Sequence, residues 1–141
     1  MTTTIRRLIL RVNALYIGGA ALAGLVFDVR GVLFGIGPQG RILTTAPYAA
    51  IGFIEAHGLA LILAVLLWRA APARSWHLTA TAIEMLLGTA NLVFWEMFVA
   101  TDALVLGYVT TVLHWSFVVA QVVAAIPAND LRQISPSHAR P

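Results

Sequence analysis

The chain contains no cysteine. Disulfides, thiol nucleophiles, thiolate metal sites and covalently attached c-type haem are therefore excluded. It contains no lysine either, so its nine basic side chains are all arginine, and charged residues make up only 11% of its 141 residues. A soluble domain usually carries about 25%. The formal charge is +3, but the arginines are scattered at the ends of apolar runs and form no patch, which argues against nucleic acid as a partner. Internal repeats and low-complexity tracts are also missing.

What the sequence has is apolar length, with 60% hydrophobic residues. A helical span needs about 20 mostly apolar residues. Four stretches qualify: 8–27, 48–68, 77–98 and 103–126. A soluble helix needs a polar face to meet water, and these have almost none. The expectation is one all-α membrane domain, a four-transmembrane-helix bundle running antiparallel up-down-up-down, with a polar C-terminal tail over 127–141.

The connections carry turn chemistry. Gly35, Gly37, Pro38 and Gly40 break the longest one, 28–47. Pro72 stops the second span after Arg69, Thr101-Asp102 makes a very short third connection, and Pro127 ends the fourth span. Arg6, Arg7 and Arg11 before an apolar run, with Ala21-Leu22-Ala23 after it, imitate a signal peptide. The run continues through Leu25, Val26 and Phe27, so cleavage there would halve a span; an uncleaved first helix is expected.

Arginine placement gives orientation. With the N-terminus cytoplasmic, Arg6, Arg7, Arg11, Arg69, Arg74, Arg132 and Arg140 fall inside, and only Arg30 and Arg41 outside. The positive-inside rule then predicts both termini cytoplasmic, with Trp68 and Trp76 at the inner interface.

Ionisable groups inside spans cost ~2.5–3.5 kcal/mol each on insertion scales and normally face protein or water. Here they recur at helical spacing. His77, Glu84 and Asn91 repeat every seven residues in the third span, and Gly107, His114 and Gln121 do so in the fourth. The second span places Tyr48, Gly52, Glu55 and Leu59 on one stripe, and the first contributes Asn13. Small residues let helices approach and polar ones find partners across the interface. A polar seam follows, with two expected layers: Glu84, Asn13 and Gln121 inside, and Glu55, Asn91 and His114 outside. These six are the candidate ligand- or proton-binding residues. Glu55 and His57 are ~200° apart on their helix, so they serve different faces. His57 is expected on a helix flank or facing a partner.

Candidate chemistries narrow quickly. A di-iron carboxylate bundle needs paired Glu-x-x-His motifs, and there are none. No metal-ligand pair stands at i, i+4, so no metal is expected. His57 and His114 lie at comparable depth and are the one pair able to offer bis-His haem ligation; no cofactor is otherwise expected. A carboxyl in hydrocarbon favours its neutral form until something pairs with it, so Glu55 and Glu84 suit proton relay or ligand binding.

The stretch from Gly52 to Trp95 resembles the four-helix DoxX-like membrane proteins and related small families. It carries Gly52, Glu55 and Gly58 in a Gly-x-x-Glu-x-x-Gly pattern, followed by Arg69, Ala70 and Ala71; the start, RLILRVNALYIGGAAL, suits that family's first helix. Glu84, Glu96 and His114 depart from the pattern. The resemblance implies an inner-membrane protein, sometimes tied to respiratory or quinone-linked redox systems, and transfers no catalytic residue. The leading expectation is a module without catalytic activity that binds membrane lipids, a lipophilic small molecule, or a second copy or partner membrane subunit. The alternatives are a small proton-coupled transporter using Glu55 and Glu84, and a membrane redox or isomerase enzyme.

Overall fold

A computed structural model describes residues 1–126; the expected tail 127–141 and the Pro127 stop lie outside the described residues. The described residues form helices and no strand. In chain order these are α1 (Thr3–Phe34), α2 (Gly40–Leu43), α3 (Ala49–Arg69), α4 (Arg74–Val93), α5 (Trp95–Ala100) and α6 (Leu104–Ala125). Three of them, α1, α3 and α6, are long and apolar enough to cross a membrane. They mark the protein as membrane-embedded.

Thr2 caps α1, its hydroxyl accepting from the Ile5 amide at 3.3 Å. α1 then runs 32 residues, about 48 Å at 1.5 Å per residue, well past the expected boundary at 27. No proline interrupts it, and it runs through Gly18, Gly19, Gly24 and Gly31 to Gly35, which takes φ 64° and closes the helix with its amide on the Gly31 carbonyl. That left-handed geometry suits glycine because it has no Cβ to clash. The extension carries Asp28 into a helix, where the sequence suggested a connection. α3 stops at Arg69, ahead of Pro72 as expected.

The third expected span, 77–98, is not one helix. It breaks at Phe94 (φ −102°, ψ 33°), and α5 begins at Trp95. Neither proline nor glycine stands at the break. An aromatic cluster holds the bend, with Trp95 5.5 Å from Phe98 and 4.8 Å from Tyr108 between ring centroids. Phe98 packs flat on Gly107 of α6, where a Cβ would meet its ring at 2.7 Å.

The main packing pairs are α1 with α3 and α4 with α6, and α1 also touches α6. Leu10, Ala14 and Ile17 of α1 meet Ala64 and Leu67 of α3 and Ala80 of α4 in the apolar core. Few large residues are buried; most Leu, Ile and Val side chains point outward. That inverted arrangement suits a protein solvated by lipid, where helix contacts rely on small residues and polar bonds.

Candidate functional site

The most buried part of the molecule is polar. Asn13, His77, Glu84 and Gln121 are each 0% exposed, and His114 is 7% exposed. Asn13 comes from α1, His77 and Glu84 from α4, and His114 and Gln121 from α6. The seven-residue repeats put His77 and Glu84 two turns apart on one face of α4, and Gln121 and His114 two turns apart on α6.

These side chains form a single hydrogen-bonded chain. His77 Nδ1 meets Gln121 Oε1 at 2.6 Å, Gln121 Nε2 donates to Asn13 Oδ1 at 2.8 Å, and Asn13 Nδ2 donates to Glu84 Oε1. Glu84 Oε2 lies 2.5 Å from His114 Nδ1. Beyond it, His114 Nε2 is 3.3 Å from the Tyr16 hydroxyl, which donates to the Thr110 carbonyl at 3.2 Å. Tyr16 also packs edge-on against His114 and stacks on Phe117.

The chain has a direction. An amide carbonyl only accepts, so His77 carries its proton on Nδ1 and donates to Gln121. Each amide accepts on one side and donates on the other, so every donor points toward Glu84. With the Tyr16 hydroxyl donating to Thr110, its oxygen accepts from His114 Nε2–H. One proton then remains between Glu84 Oε2 and His114 Nδ1. Held on nitrogen it gives a carboxylate–imidazolium pair; held on oxygen it gives a neutral acid and imidazole. Both states keep every hydrogen bond.

A second carboxylate–histidine pair joins α1 and α3. Asp28, 0% exposed, places Oδ2 2.5 Å from His57 Nδ1. The His57 ring lies against Gly24, leaving no room there for a Cβ. Asp28 Oδ1 and His77 Nε2 are buried and have no partner among the described residues.

The structure brings Asn13, Glu84, Gln121 and His114 together, and Asn91 and Glu55 stay apart from them. Asn13, Glu84 and Gln121, expected in one layer, do meet, and His114, expected with Glu55 and Asn91, joins them because its Nδ1 reaches Glu84. Asn91 donates to Thr110 Oγ1 at 3.0 Å, one turn before His114 on α6. Glu55 lies on the outer surface of α3, with open space around its stripe neighbour Gly52 and around Gly58. It is His57, the residue expected on a flank or against a partner, that turns toward α1. The cause is Asp28, hidden in the sequence by the assumed end of the first helix. His57 and His114, the pair considered for haem, spend Nδ1 on separate carboxylates in separate clusters. Among the described residues no group of three or more His, Asp or Glu side chains is arranged to hold a metal.

Sequence reasoning did not assign Tyr16 or Asp28 to a site. Tyr16 was findable, since it stands three residues after Asn13 and so shares its face of α1. Comparison with protein-family models, curated proteins and solved structures returns no match for this chain.

Proposed function

We propose that this protein is a four-span membrane protein whose polar seam binds and passes a proton, with Glu84 as the acid that holds it and His114 as the group that exchanges it. The observation that carries the reading is the continuous chain from His77 to Tyr16, with the His77, Gln121 and Asn13 donors directed at Glu84 and one proton left between Oε2 and Nδ1. Gln121 and Asn13 fix and polarise the carboxylate, and Tyr16 fixes the far nitrogen of His114.

In this reading α4 with α5 forms the third of the four spans. Its low hydropathy comes from the residues that build the site, while Leu78, Met85, Leu86, Leu92 and Val93 on its outer side are exposed and apolar. The pairs Gln121–His77, His114–Glu84 and Thr110–Asn91 descend α6 as they climb α4, and Ala64–Gly18 and His57–Gly24 do the same for α3 and α1. Both patterns support up-down-up-down. The arginine distribution supports both termini being cytoplasmic. A DoxX-like relationship is compatible with this layout and adds no residue to it.

The test is proton movement into vesicles loaded with a pH-sensitive dye under an imposed potential. The native protein should acidify the lumen faster than empty vesicles, and Glu84→Gln, close in volume and able to hydrogen-bond, should fold and reduce the rate to background. Unchanged movement in Glu84→Gln would reject Glu84 as the acid.

A second reading rests on Glu55. A carboxyl exposed on a lipid-facing helix, with Gly52 and Gly58 open beside it, favours a partner helix or a second copy as its cover. Glu55→Leu should then weaken association measured by crosslinking in native membranes and leave the monomer's stability unchanged; association unaltered in that variant would remove the reading.

A further inference from the structure

The start of α1 and the end of α3 frame a cavity of about 470 Å³, lined by Arg7, Arg11, Trp68, Arg69, Ala70 and Ala71. Arg7 and Arg11 are one turn apart on α1, so their side chains share a face. Arg11 is held in place by Trp68, its guanidinium 5.1 Å from the ring centroid. Ala70 and Ala71 keep the floor open. The neighbouring Arg6 is used differently: it donates to the Ile126 carbonyl at 2.7 Å and ties α1 to the end of α6. Arg7, Arg11 and Arg69 have no acidic partner among the described residues, where the ion pairs are His57–Asp28 and His114–Glu84.

Three arginines lining one cavity offer the forked donors that match phosphate oxygens. The indole beside them is a side chain favoured at headgroup depth. Leu8, Val12 and Leu15 of α1 and Val65 and Leu66 of α3 are exposed close by in sequence, a surface suited to acyl chains. A free phosphate has no use for that apolar surface, whereas a phospholipid uses both parts. We propose that this cavity is a binding site for the phosphodiester headgroup of an anionic phospholipid, with Arg7, Arg11 and Arg69 as its ligands and Trp68 as the wall that positions Arg11. The site is separate from the Glu84 centre and does not depend on its role.

The experiment is native mass spectrometry of the detergent-purified full chain, titrated with phosphatidylglycerol or with phosphatidylcholine of the same acyl chains. Phosphatidylglycerol should be retained preferentially, and each of Arg7→Ala, Arg11→Ala and Arg69→Ala should lower its affinity about fivefold, the size expected for one arginine near an anionic surface. Arg11→Lys keeps the charge but loses the fork and the flat contact with Trp68, so it should fall between the native protein and Arg11→Ala. Arg30→Ala and Arg41→Ala, distant in the chain from the cavity, should leave retention unchanged. Equal retention of the two lipids overturns the proposal, as does an equal loss in Arg30→Ala or Arg41→Ala, which would mean general surface charge. Displacement of phosphatidylglycerol by inorganic phosphate at concentrations matching the lipid's own affinity would assign the cavity to free phosphate and also overturn it.

Discussion

The protein contains the same chemical pair twice. Glu84 and Asp28 are both fully buried carboxylates, and each lies 2.5 Å from the Nδ1 of a histidine on another helix. Their surroundings differ. Glu84 sits where α1, α4 and α6 meet; both its oxygens are bonded and its histidine side chain is 9% exposed. Asp28 sits at a two-helix contact, with one oxygen unpartnered among the described residues and a histidine side chain 29% exposed. A third helix supplies Asn13 at Glu84 and thereby the amide chain that polarises it. The lesson is that the carboxylate–imidazole pair alone does not define the site; the directional network behind it does.

The largest effect should come from removing the carboxylates. Glu84→Ala leaves Asn13 Nδ2 and His114 Nδ1 both without a partner and should cost about 3 kcal/mol or more. Asp28→Ala strands only His57, which is partly accessible, and should cost about 1–2 kcal/mol. Unfolding in graded denaturing detergent measures both, and equal losses would break the comparison. Next in size is the backbone under the second pair. Gly24→Ala pushes a methyl into the His57 ring and should cost about 1–3 kcal/mol. Gly58→Ala, on the same helix as His57 but in open space, should instead gain about 0.5–1 kcal/mol by the helix preference of alanine. The smallest effect should be the coupling between Asn13 and Gln121. A double-mutant cycle with Asn13→Ala and Gln121→Ala should show about 0.6–1.7 kcal/mol. A coupling near zero would mean that the amide chain is two independent contacts.

Much of this was legible in the sequence where periodicity carried it. The repeats at His77 and Glu84 and at His114 and Gln121 survive two turns of helix with little drift, so the residues sharing the seam could be named without knowing how the helices pack. What could not be read was which neighbour each face meets. Glu55 and His57 are on opposite sides of α3 in either case; only the position of Asp28 on α1 decides which side is inward. The turn residues at 35–40 suggest a connection from 28, whereas α1 continues to Phe34, seven residues further, and carries Asp28 inside the helix. The break at Phe94 was hidden for a different reason: it is maintained by aromatic packing among Trp95, Phe98 and Tyr108, which local sequence does not announce.

The central claim is that Glu84 and His114 share a proton that can be gained and lost. Infrared difference spectroscopy across a pH step, on protein reconstituted in lipid, observes the carboxylic C=O stretch directly. The account predicts a pH-dependent carboxylic band that disappears in Glu84→Gln and moves in frequency in His114→Gln, while Asp28→Asn leaves it in place. A spectrum with the same pH-dependent band in the native protein and in Glu84→Gln would contradict it.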